Sequence, residues 1–485
     1  MENMNIWFTV SEAQGLVKSG GLADVAKALP KALQELGNEV AIVLPGYSLL
    51  PNREDKNIIL STELEHWPHT AYQVATMELD GVPVYTIECD HYFERNALYA
   101  ENNEAYKDNG ERFAFFAAAS LDVLPKLGIK PDVVHANDWH TGLVPFLLKT
   151  RYQSDERFSG IKSVLTVHNA IFKGIFKYDD LEIIPELHFS SAENVRYGHD
   201  CISTLRAGIA YADKVNAVSP NYAKELMTPL GAHGLVDDFS HRSRDLHGIV
   251  NGCDYSEWDP NRDELLPKTY TDNAQSMKAG KLASKTLIQQ ELGLPNRDLP
   301  LFGMVCRLTH QKGFHYILPM LQQFLTNDVQ LVIVGTGDPD VAAQLRNFAN
   351  AYPTKFAFLE AYSDRYAHLV EAGSDFFLMP SEFEACGLNQ IYSMAYGTLP
   401  IVREVGGLKD TVVNYDESPE KGTGFSFREP SAQALLVVMQ RAVLFYLQSP
   451  EEMTRIQLQA MRVDFSWLDS AKEYKKMYQL AFLEH

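Results

Sequence analysis

The sequence predicts an α/β protein made of two doubly wound domains. Strand-like apolar runs alternate with amphipathic helical stretches from the N-terminus, and the same alternation restarts near residue 300. In each half, a loop rich in glycine or basic residues follows the first strand. Alternating strands and helices form a parallel sheet with helices on both faces. A chain of 485 residues also exceeds the usual size of one hydrophobic core, so at least two domains are expected.

The first half begins with strand, helix and strand. Residues 5–10 are strand-like, apolar residues recur at helical spacing over 22–36, and residues 39–44 form a second apolar run. Gly37 ends the helical stretch. The further elements predicted in this half are strands at 82–87, 133–135 and 163–167 and a helix at 111–127.

The second half repeats this order. A strand at 301–306, a helix at 314–325 and a strand at 329–334 come first. Further strands are predicted at 355–359, 376–379 and 398–403, and helices between about 432 and 483. The intervening stretch 254–300 is richer in polar residues, proline and aspartate, so we expect the domain junction there. Two facing halves predict a deep cleft outside the carboxyl ends of their strands, with one substrate held from each side.

Composition and charge narrow the class of protein. Hydrophobic residues make up 46% of the chain and charged residues 22%, and the formal net charge is −20. This charge disfavours nucleic acid or an anionic membrane as a partner. The first residues lack the basic start and apolar stretch of a signal peptide, and no apolar run is long enough to span a bilayer. The cysteines are odd in number and form no CxxC pair, which predicts a cytoplasmic protein without structural zinc; they are Cys89, Cys201, Cys253, Cys306 and Cys386.

Two loops carry glycines or cations where a strand leads into a helix. Gly20 and Gly21 let the backbone approach a ligand, the helix after them offers free N–H groups, and Lys18 adds a positive charge. Arg307 and Lys312 lie five residues apart in the second loop, where fixed cations could neutralise a diphosphate leaving group. The alternatives are an ordinary glycine-containing turn in the first loop and two solvated cations in the second.

A third loop, at 381–390, carries a carboxylate before a helix. Glu384 could accept hydrogen bonds from sugar hydroxyls, while the N–H groups after Gly387 face an anion. The alternative is an ordinary helix N-terminus with glutamate in its first turn. A nucleophilic role for Cys386 is disfavoured, because no histidine-based partner is near it in the sequence.

Polar and aromatic residues also follow two neighbouring strands of the first half. Asp138, Trp139 and His140 follow one strand, and His168 follows the next. Such residues could stack on a sugar and bind its hydroxyls, or they could simply satisfy local backbone groups. Zinc bound by His135, Asp138, His140 and His168 is disfavoured, because His135 and His140 lack the i, i+4 spacing of a helical zinc pair. The acidic string at 338–340 is interpreted as a turn.

These segments, taken together and in this order, resemble the bacterial glycogen synthases and plant starch synthases of glycosyltransferase family five. The resemblance covers nearly the whole chain, and its motifs are KSGGLADV (18–25), PDVVHANDWHTG (131–142), TVHNAIFKGIF (166–176), AGIAYADKVNAVSPNYAKE (207–225), GIVNGCD (248–254), RLTHQKG (307–313), SEFEACGLNQIYSMAYGTLP (381–400), VGGLKDTV (405–412) and DFSW (464–467).

The resemblance implies the GT-B fold, with two Rossmann-like domains. Residues 1–255 would form the glucan side, 256–460 the nucleotide-sugar side, and 461–485 a helix that crosses back to the N-terminal domain. It implies a cytoplasmic, retaining transferase that moves glucose from ADP-glucose to the non-reducing end of an α-1,4-glucan such as glycogen or a malto-oligosaccharide. No metal and no cofactor are expected, since ADP-glucose is a substrate.

Residue roles carry over along the same motifs. As catalytic residues the resemblance implies Glu384, Lys312, Arg307, His168 and Asp138. As donor-binding residues it implies Lys18, Gly20, Gly21, Asp24, Tyr99, Asn251, Cys386, Gly387 and Leu388.

The chain departs from the family pattern at five positions. Ala385 replaces the usual proline after the motif glutamate, Asn389 and Ser19 replace threonines, and Tyr392 stands where related transferases carry a second glutamate. Glu382 replaces an arginine, which reverses a charge beside the donor site and bears on the strength of donor binding.

The retaining outcome leaves two chemical routes open. A double displacement needs a carboxylate beneath the anomeric carbon, and the sequence offers Asp138 and Glu384 without placing either one. Front-face substitution is favoured, with the departing phosphate taking the proton of the acceptor.

Three rival functions would each differ from the synthase in sequence or in substrate. A sucrose-type synthase of the same fold would differ in its acceptor. A nicotinamide-dependent oxidoreductase would carry GxGxxG after the first strand, where this chain has KSGG. A glucan-binding regulator without turnover would be expected to lose Arg307, Lys312 or Glu384, and all three are present.

Overall fold

The structure is a computed structural model that describes residues 3–51, 53, 56–64, 70–102, 104–188 and 190–483. The chain divides into two compact units. The N-terminal unit comprises Met1–Gly252 together with Trp467–His485, and the C-terminal unit comprises Cys253–Ser466. The chain therefore passes between the units twice.

The strands are β1 Asn5–Thr9, β2 Glu39–Pro45, β3 Asn57–Glu63, β4 Ala71–Leu79, β5 Val82–Glu88, β6 Ala100–Glu101, β7 Glu104–Ala105, β8 Val133–Asn137, β9 Lys162–Val167, β10 Ile175–Lys177, β11 Arg196–Tyr197, β12 Cys201–Ser203, β13 Lys214–Ala217, β14 Leu246–Gly248, β15 Leu301–Val305, β16 Gln330–Val334, β17 Phe356–Leu359, β18 Phe376–Met379, β19 Leu399–Arg403 and β20 Phe425–Phe427.

The α-helices are α1 Gly21–Glu35, α2 Asp90–Phe93, α3 Asn109–Leu127, α4 Leu143–Lys149, α5 Thr204–Tyr211, α6 Pro220–Glu225, α7 Val236–His241, α8 Ala274–Glu291, α9 Phe314–Phe324, α10 Pro339–Ala351, α11 Asp364–Gly373, α12 Asn389–Ala395, α13 Gly406–Thr411, α14 Ala432–Gln448, α15 Pro450–Met461 and α16 Trp467–Leu483.

A nine-stranded sheet forms the centre of the N-terminal unit. Its order is β14-β13-β9-β8-β1-β2-β5-β4-β3, parallel from β14 to β5 and antiparallel at the β5-β4-β3 edge. β3 and β4 were not predicted from the sequence. β3 is mostly exposed and so lacks an apolar signal, although Asp80 and Gly81, both with positive φ, form the tight turn of a hairpin between β4 and β5.

The last helix of the chain belongs to the N-terminal unit. On α16, the buried hydroxyl of Tyr478 lies 2.7 Å from Nδ1 of His135 on β8. Asn216 on β13 donates to the hydroxyl of Tyr474 over 2.9 Å, and Lys475 donates to the carbonyl of Leu36 at the end of α1. The two ends of the sequence therefore build one core.

A six-stranded parallel sheet forms the centre of the C-terminal unit, in the order β17-β16-β15-β18-β19-β20. The predicted polar junction at 254–300 contains α8, an 18-residue helix. Its inner face buries polar side chains, so it lacks a clear apolar period. Lys281, for example, donates to the carbonyl of Ala372 and the hydroxyl of Thr398.

Each sheet reverses its strand order at its first strand. β1 lies between β2 and β8, and β15 lies between β16 and β18. In open α/β sheets, ligands bind outside the carboxyl ends of the strands at such a switch point. The loops that leave β1, β8, β15 and β18 are therefore where a site is expected in each unit.

Candidate active site

In the N-terminal unit, the loop that leaves β1 folds around a buried carboxylate. Glu12 is only 3% exposed, and its Oε2 accepts the backbone N–H of Ser19 and that of Gly20, the latter over 3.3 Å. Burial raises the pKa of Glu12 to about 6, although the two N–H groups oppose this shift. The amides of Ser19 and Gly20 therefore face Glu12.

The predicted donor-binding residues of this loop lie around that contact. Gly20 is the N-cap of α1, and Gly21 is its first residue. Lys18 is partly exposed, and its ammonium lies 2.7 Å from Oδ1 of Asp24 in the first turn of the helix. The structure thus brings Lys18, Gly20, Gly21 and Asp24 together, with the lysine in an ion pair.

The loop that leaves β8 begins with Asp138 in an unusual conformation. Its φ is 54° and its ψ is −168°, a combination that residues other than glycine rarely adopt. Its Oδ1 accepts the backbone N–H of His168 over 2.6 Å and that of Asn169 over 3.4 Å. Burial raises the pKa of Asp138 to about 7, against the effect of these N–H groups.

His168 lies beside Asp138 and is held by the end of β8. Its Nε2 is 2.9 Å from Oδ1 of Asn137, and burial lowers its pKa to about 3. The imidazole is therefore neutral at pH 7, which suits a hydrogen-bonding role toward a ligand better than that of a fixed cation.

The aromatic residues of the β8 loop pack against protein. The Trp139 ring lies 4.0 Å from that of His140 and 5.1 Å from that of Phe113. The ring of Tyr99 also lies near His140, at 4.7 Å, and its hydroxyl is 2.8 Å from Ser11 Oγ. Trp139 therefore packs on these rings and is only partly buried, and stacking of its ring on a sugar stays a prediction.

Asn251, the last donor-binding residue predicted in this unit, is buried close to the point where the chain leaves it. Its Oδ1 has no hydrogen-bond partner among the residues that the structure describes. A buried amide oxygen without a partner is costly, so this atom is suited to accept a hydrogen bond from a ligand.

In the C-terminal unit, the loops after β15 and β18 are joined by an ion pair. The ammonium of Lys312 lies 2.6 Å from Oε2 of Glu384, and the hydroxyl of Ser381 donates to the same oxygen over 3.1 Å. Glu384 is 9% exposed. Two residues predicted from separate motifs, 72 positions apart, thus lie in direct contact.

Arg307 is exposed at the start of the β15 loop. Within the described ranges, it forms no ion pair and no hydrogen bond. A free guanidinium beside the Lys312 loop can turn toward an anionic ligand without breaking another contact.

Close backbone approaches fix the position of the Glu384 loop. A Cβ added to Gly406, whose φ is +43°, would lie 1.7 Å from the carbonyl oxygen of Glu384. Gly387 has a φ of +76°, which only glycine adopts at low cost, and Leu388 is the N-cap of α12. Cys386 is buried beside them.

The reversed charge at Glu382 is neutralised locally. The hydroxyl of Tyr316 donates to its Oε2, and His315 Nε2 and an Arg403 guanidinium nitrogen lie 3.4 and 3.9 Å from the same oxygen. Burial raises the pKa of Glu382, but the Tyr316 hydrogen bond and the charge of Arg403 outweigh it and hold the pKa below its usual value. The carboxylate is therefore directed at Tyr316 and Arg403 within the protein.

The other departures from the family pattern have structural roles. Tyr392 is buried, and its ring stacks on that of Trp258 at 3.9 Å between centroids. Asn389 donates to the carbonyl of Val305, at the end of β15, and the carbonyl of Ala385 accepts the N–H of Gly407. In the 338–340 string, Asp338 caps α10, which places it in a helix start.

Reasoning from the sequence missed three residues of these loops, namely Glu12, Ser381 and Arg403. Arg403 donates to the backbone carbonyls of Ser381 and Glu382, so it supports the Glu384 loop. The sequence signal for Arg403 was its place as a charged residue at the carboxyl end of a buried strand. Glu12 had a weaker signal, as an acidic residue just after β1.

Among the described residues, no group of three or more His, Cys, Asp or Glu side chains is arranged to hold a metal ion. His135, one of the four residues of the disfavoured zinc site, forms hydrogen bonds with Tyr478 and Thr166. Nor does any helix in the described part of the chain have the length and apolarity needed to cross a membrane.

Each of the two units matches a known protein family. A family described as the starch synthase catalytic domain matches residues 5–241, and the glycosyl transferases group 1 family matches residues 285–459. The glycogen synthase of Vibrio cholerae serotype O1 (strain ATCC 39541) is 70% identical over 481 residues, which covers 99% of each chain.

Solved structures agree with this assignment. The catalytic domain of starch synthase IV from Arabidopsis thaliana, bound to ADP and acarbose, matches with a TM-score of 0.89 at 29% identity over 99% of this chain and 100% of that one. Sucrose-phosphate synthase from Thermosynechococcus elongatus matches with a TM-score of 0.59 at 20% identity over 99% of both chains, which indicates a shared fold only. The predicted fold class is confirmed.

Proposed function

The chain belongs to the glycogen synthase family, and on this basis we propose that it is a retaining glucosyltransferase that extends α-1,4-glucans from ADP-glucose. The product would be a glucan longer by one glucose residue at its non-reducing end, together with ADP. The observation that carries the proposal is the contact of Lys312 with Glu384, in a chain 70% identical to a glycogen synthase over its length.

The C-terminal unit would act on the donor. Lys312 and Arg307 supply positive charge at the mouth of the β15 loop, where the diphosphate gains charge as it leaves. Preorganised charge of this kind stabilises a transition state more than a ground state. Glu384 would keep Lys312 oriented and accept hydrogen bonds from glucosyl hydroxyls.

The N-terminal unit would act on the sugar. Asp138 aligns the backbone of His168 and Asn169 by accepting the N–H of each, so the neutral imidazole can hydrogen-bond a hydroxyl of the glucosyl group. Lys18, with Asp24 as its resting partner, would bind the anionic part of the donor. Tyr99 and Asn251 would complete the binding surface of this unit.

We favour front-face substitution for the chemical step. The bond between the anomeric carbon and the phosphate oxygen breaks, and the 4-hydroxyl oxygen of the acceptor bonds to that carbon on the same face. The leaving phosphate oxygen takes the hydroxyl proton, so the ADP leaves with the bonding electron pair. No covalent enzyme intermediate is then needed, which separates this route from a double displacement through a carboxylate.

ADP-glucose is proposed over UDP-glucose because the matching Arabidopsis structure holds ADP. The cations of the chain can supply the neutralisation that a metal ion supplies elsewhere, so we propose activity without metal or cofactor. The cysteines, none of which forms a disulfide in the described part of the chain, support a cytoplasmic enzyme. Its proposed partners are the nucleotide sugar and the glucan, and the net charge of −20 disfavours nucleic acid and anionic membranes.

The deciding experiment is nucleoside diphosphate release from ADP-glucose and from UDP-glucose, with and without glycogen, in buffer containing EDTA. Release from ADP-glucose that requires glycogen, with growth of the glucan and retention at the anomeric carbon, is the expected result. Release from UDP-glucose alone would overturn the donor assignment. Glycogen binding without release from either donor would favour a non-catalytic glucan-binding protein.

A further inference from the structure

A buried carboxylate anchors the segment that carries Lys18. Glu12 follows β1 by three residues, and its side chain reaches the backbone of Ser19 and Gly20, seven and eight positions further on. The contact joins the end of a strand to the start of α1. It is made by one side chain, so a single substitution can test it.

The rest of the loop is closed by backbone bonds. Ala13 and Val17 exchange two N–H···O bonds of 3.0 and 2.9 Å, and Gln14 donates to the carbonyl of Ala23 in α1. Lys18 lies between the Ala13–Val17 pair on one side and the Glu12 contact on the other. Its backbone is therefore fixed from both directions.

Burying a carboxylate at this place is costly. The carboxyl groups of Asp24 and Asp138 both lie close enough to Glu12 for electrostatic repulsion between the ionised groups. Burial itself also disfavours the ionised form. A neutral side chain of the same length could fill the space without that cost. The carboxylate oxygen, however, carries the charge that strengthens both N–H···O bonds, and the group has no donor of its own to face the two amides.

We propose that Glu12 is a positioning residue for donor binding, which fixes Lys18 toward the anionic part of the nucleotide sugar by holding the amides of Ser19 and Gly20. This inference rests on the proposed function of the same site. Glu12 would act through the loop and would not touch the reacting atoms.

The test compares Glu12→Gln, Lys18→Ala and the double variant, with Asp213→Asn as the matched control. Asp213 is also an acid that accepts a backbone N–H, from Ser163 over 2.7 Å, but it lies at the amino ends of the strands. The glutamine keeps a carbonyl oxygen for the two N–H groups but removes the negative charge that strengthens both hydrogen bonds.

We expect Glu12→Gln to raise the KM for ADP-glucose about tenfold, the ratio that follows when hydrogen bonds to a charged acceptor become bonds to a neutral one, with kcat and the KM for glucan within about threefold of wild type. The double variant should be no worse than Lys18→Ala, because both changes remove the same contribution. Asp213→Asn should lower the thermal midpoint without raising the donor KM.

Two results would overturn the proposal. One is a donor KM unchanged in folded Glu12→Gln, which would leave Glu12 a structural role only. The other is full additivity in the double variant, which would show that Glu12 does not act through Lys18. If the wild type fails to transfer glucose, the proposed function fails separately, and ADP binding measured by calorimetry on the same variants still decides whether Glu12 positions Lys18.

Discussion

At the scale of single residues, the Lys312–Glu384 contact defines what the C-terminal unit can do. A lysine held 2.6 Å from a carboxylate has a fixed direction, which is what preorganisation requires. The same carboxylate has a second donor in Ser381, so its geometry does not depend on Lys312 alone. Replacing the lysine should therefore remove a charge while leaving the loop in place.

We predict that Lys312→Ala lowers kcat by about 10²-fold or more, the effect of losing one preorganised donor at a transition state. Initial rates with saturating ADP-glucose and glycogen measure this. Lys278→Ala, on the exposed side of α8 in the same unit, is the control and should match wild type. A folded Lys312→Ala enzyme with near-normal kcat would exclude the proposed role.

Asp138 predicts a pH dependence of stability. Its pKa is raised to about 7 by burial, from about 3.9 in an unfolded chain. The folded state therefore favours the protonated form, and this contribution is full below about pH 4 and is lost as the pH rises to about 7.

The free energy of unfolding of wild type should accordingly fall between pH 5 and pH 8 by roughly 3 kcal/mol more than that of Asp138→Asn. The loss is about 1.4 kcal/mol for each pH unit between pH 5 and the folded pKa of about 7. Urea unfolding of both proteins at the two pH values measures the difference. Asparagine keeps an acceptor for the His168 N–H and carries no charge. An equal decrease in the free energy of unfolding of both proteins would show that Asp138 does not titrate between pH 5 and pH 8.

Which residues could be predicted depends on what their function requires. Lys312 and Glu384 follow apolar strands in short loops, and the position of such loops at a sheet edge is general. Glu12 and Arg403 bind backbone groups whose direction is set by the turn itself, and no pattern of residue types specifies that direction. The roles of the predicted site residues remain proposals for the experiments above.

At the scale of elements, regular periodicity decided what could be predicted. The predicted strand at 376–379 matches β18, and the helix at 22–36 differs from α1 by one residue at each end, because both have uninterrupted apolar patterns. α8 was missed since its buried face carries lysine and glutamine. β3 was missed because it lies at an exposed edge with little apolar surface to bury.

The close approach of α13 to the Glu384 loop predicts that activity requires glycine at position 406. Gly406→Ala would drive a Cβ to 1.7 Å from the Glu384 carbonyl, so the loop must move. We expect at least tenfold lower kcat, because a displacement of about 1 Å at a reacting group costs up to about 10²-fold.

The control is Gly293→Ala. Gly293 also has a positive φ, of +72°, but a Cβ there would meet no atom within 4 Å. Both variants carry the backbone cost of about 1 kcal/mol, and only Gly406→Ala displaces the loop. Equal activity of the two variants would show that the protein relieves the steric contact at residue 406 without displacing the Glu384 side chain.

At the scale of the whole molecule, the sequence order and the folded units do not coincide. The C-terminal unit is one continuous stretch, whereas the N-terminal unit is closed by the last helix of the chain. Periodicity alone predicted that helices end the chain, and only the resemblance to glycogen and starch synthases implied that one of them returns to the N-terminal domain. A local pattern contains no information on which distant sheet a helix will cover.

This arrangement makes a prediction for Tyr478→Phe on α16. The substitution leaves Nδ1 of the fully buried His135 without a partner, which costs about 1–3 kcal/mol. Burial lowers the pKa of His135 to about 3, so the ring cannot compensate by becoming charged at neutral pH. Hydrogen exchange read by mass spectrometry should therefore show faster exchange in β8 and β9, with β15 and β18 unchanged.

Lys472→Ala, which alters only an exposed ion pair with Asp469 on the same helix, should leave both sheets as in wild type. Loss of protection in both sheets would instead mean that the two units unfold together, and unchanged β8 and β9 would mean that the hydroxyl contributes nothing to closing the N-terminal core.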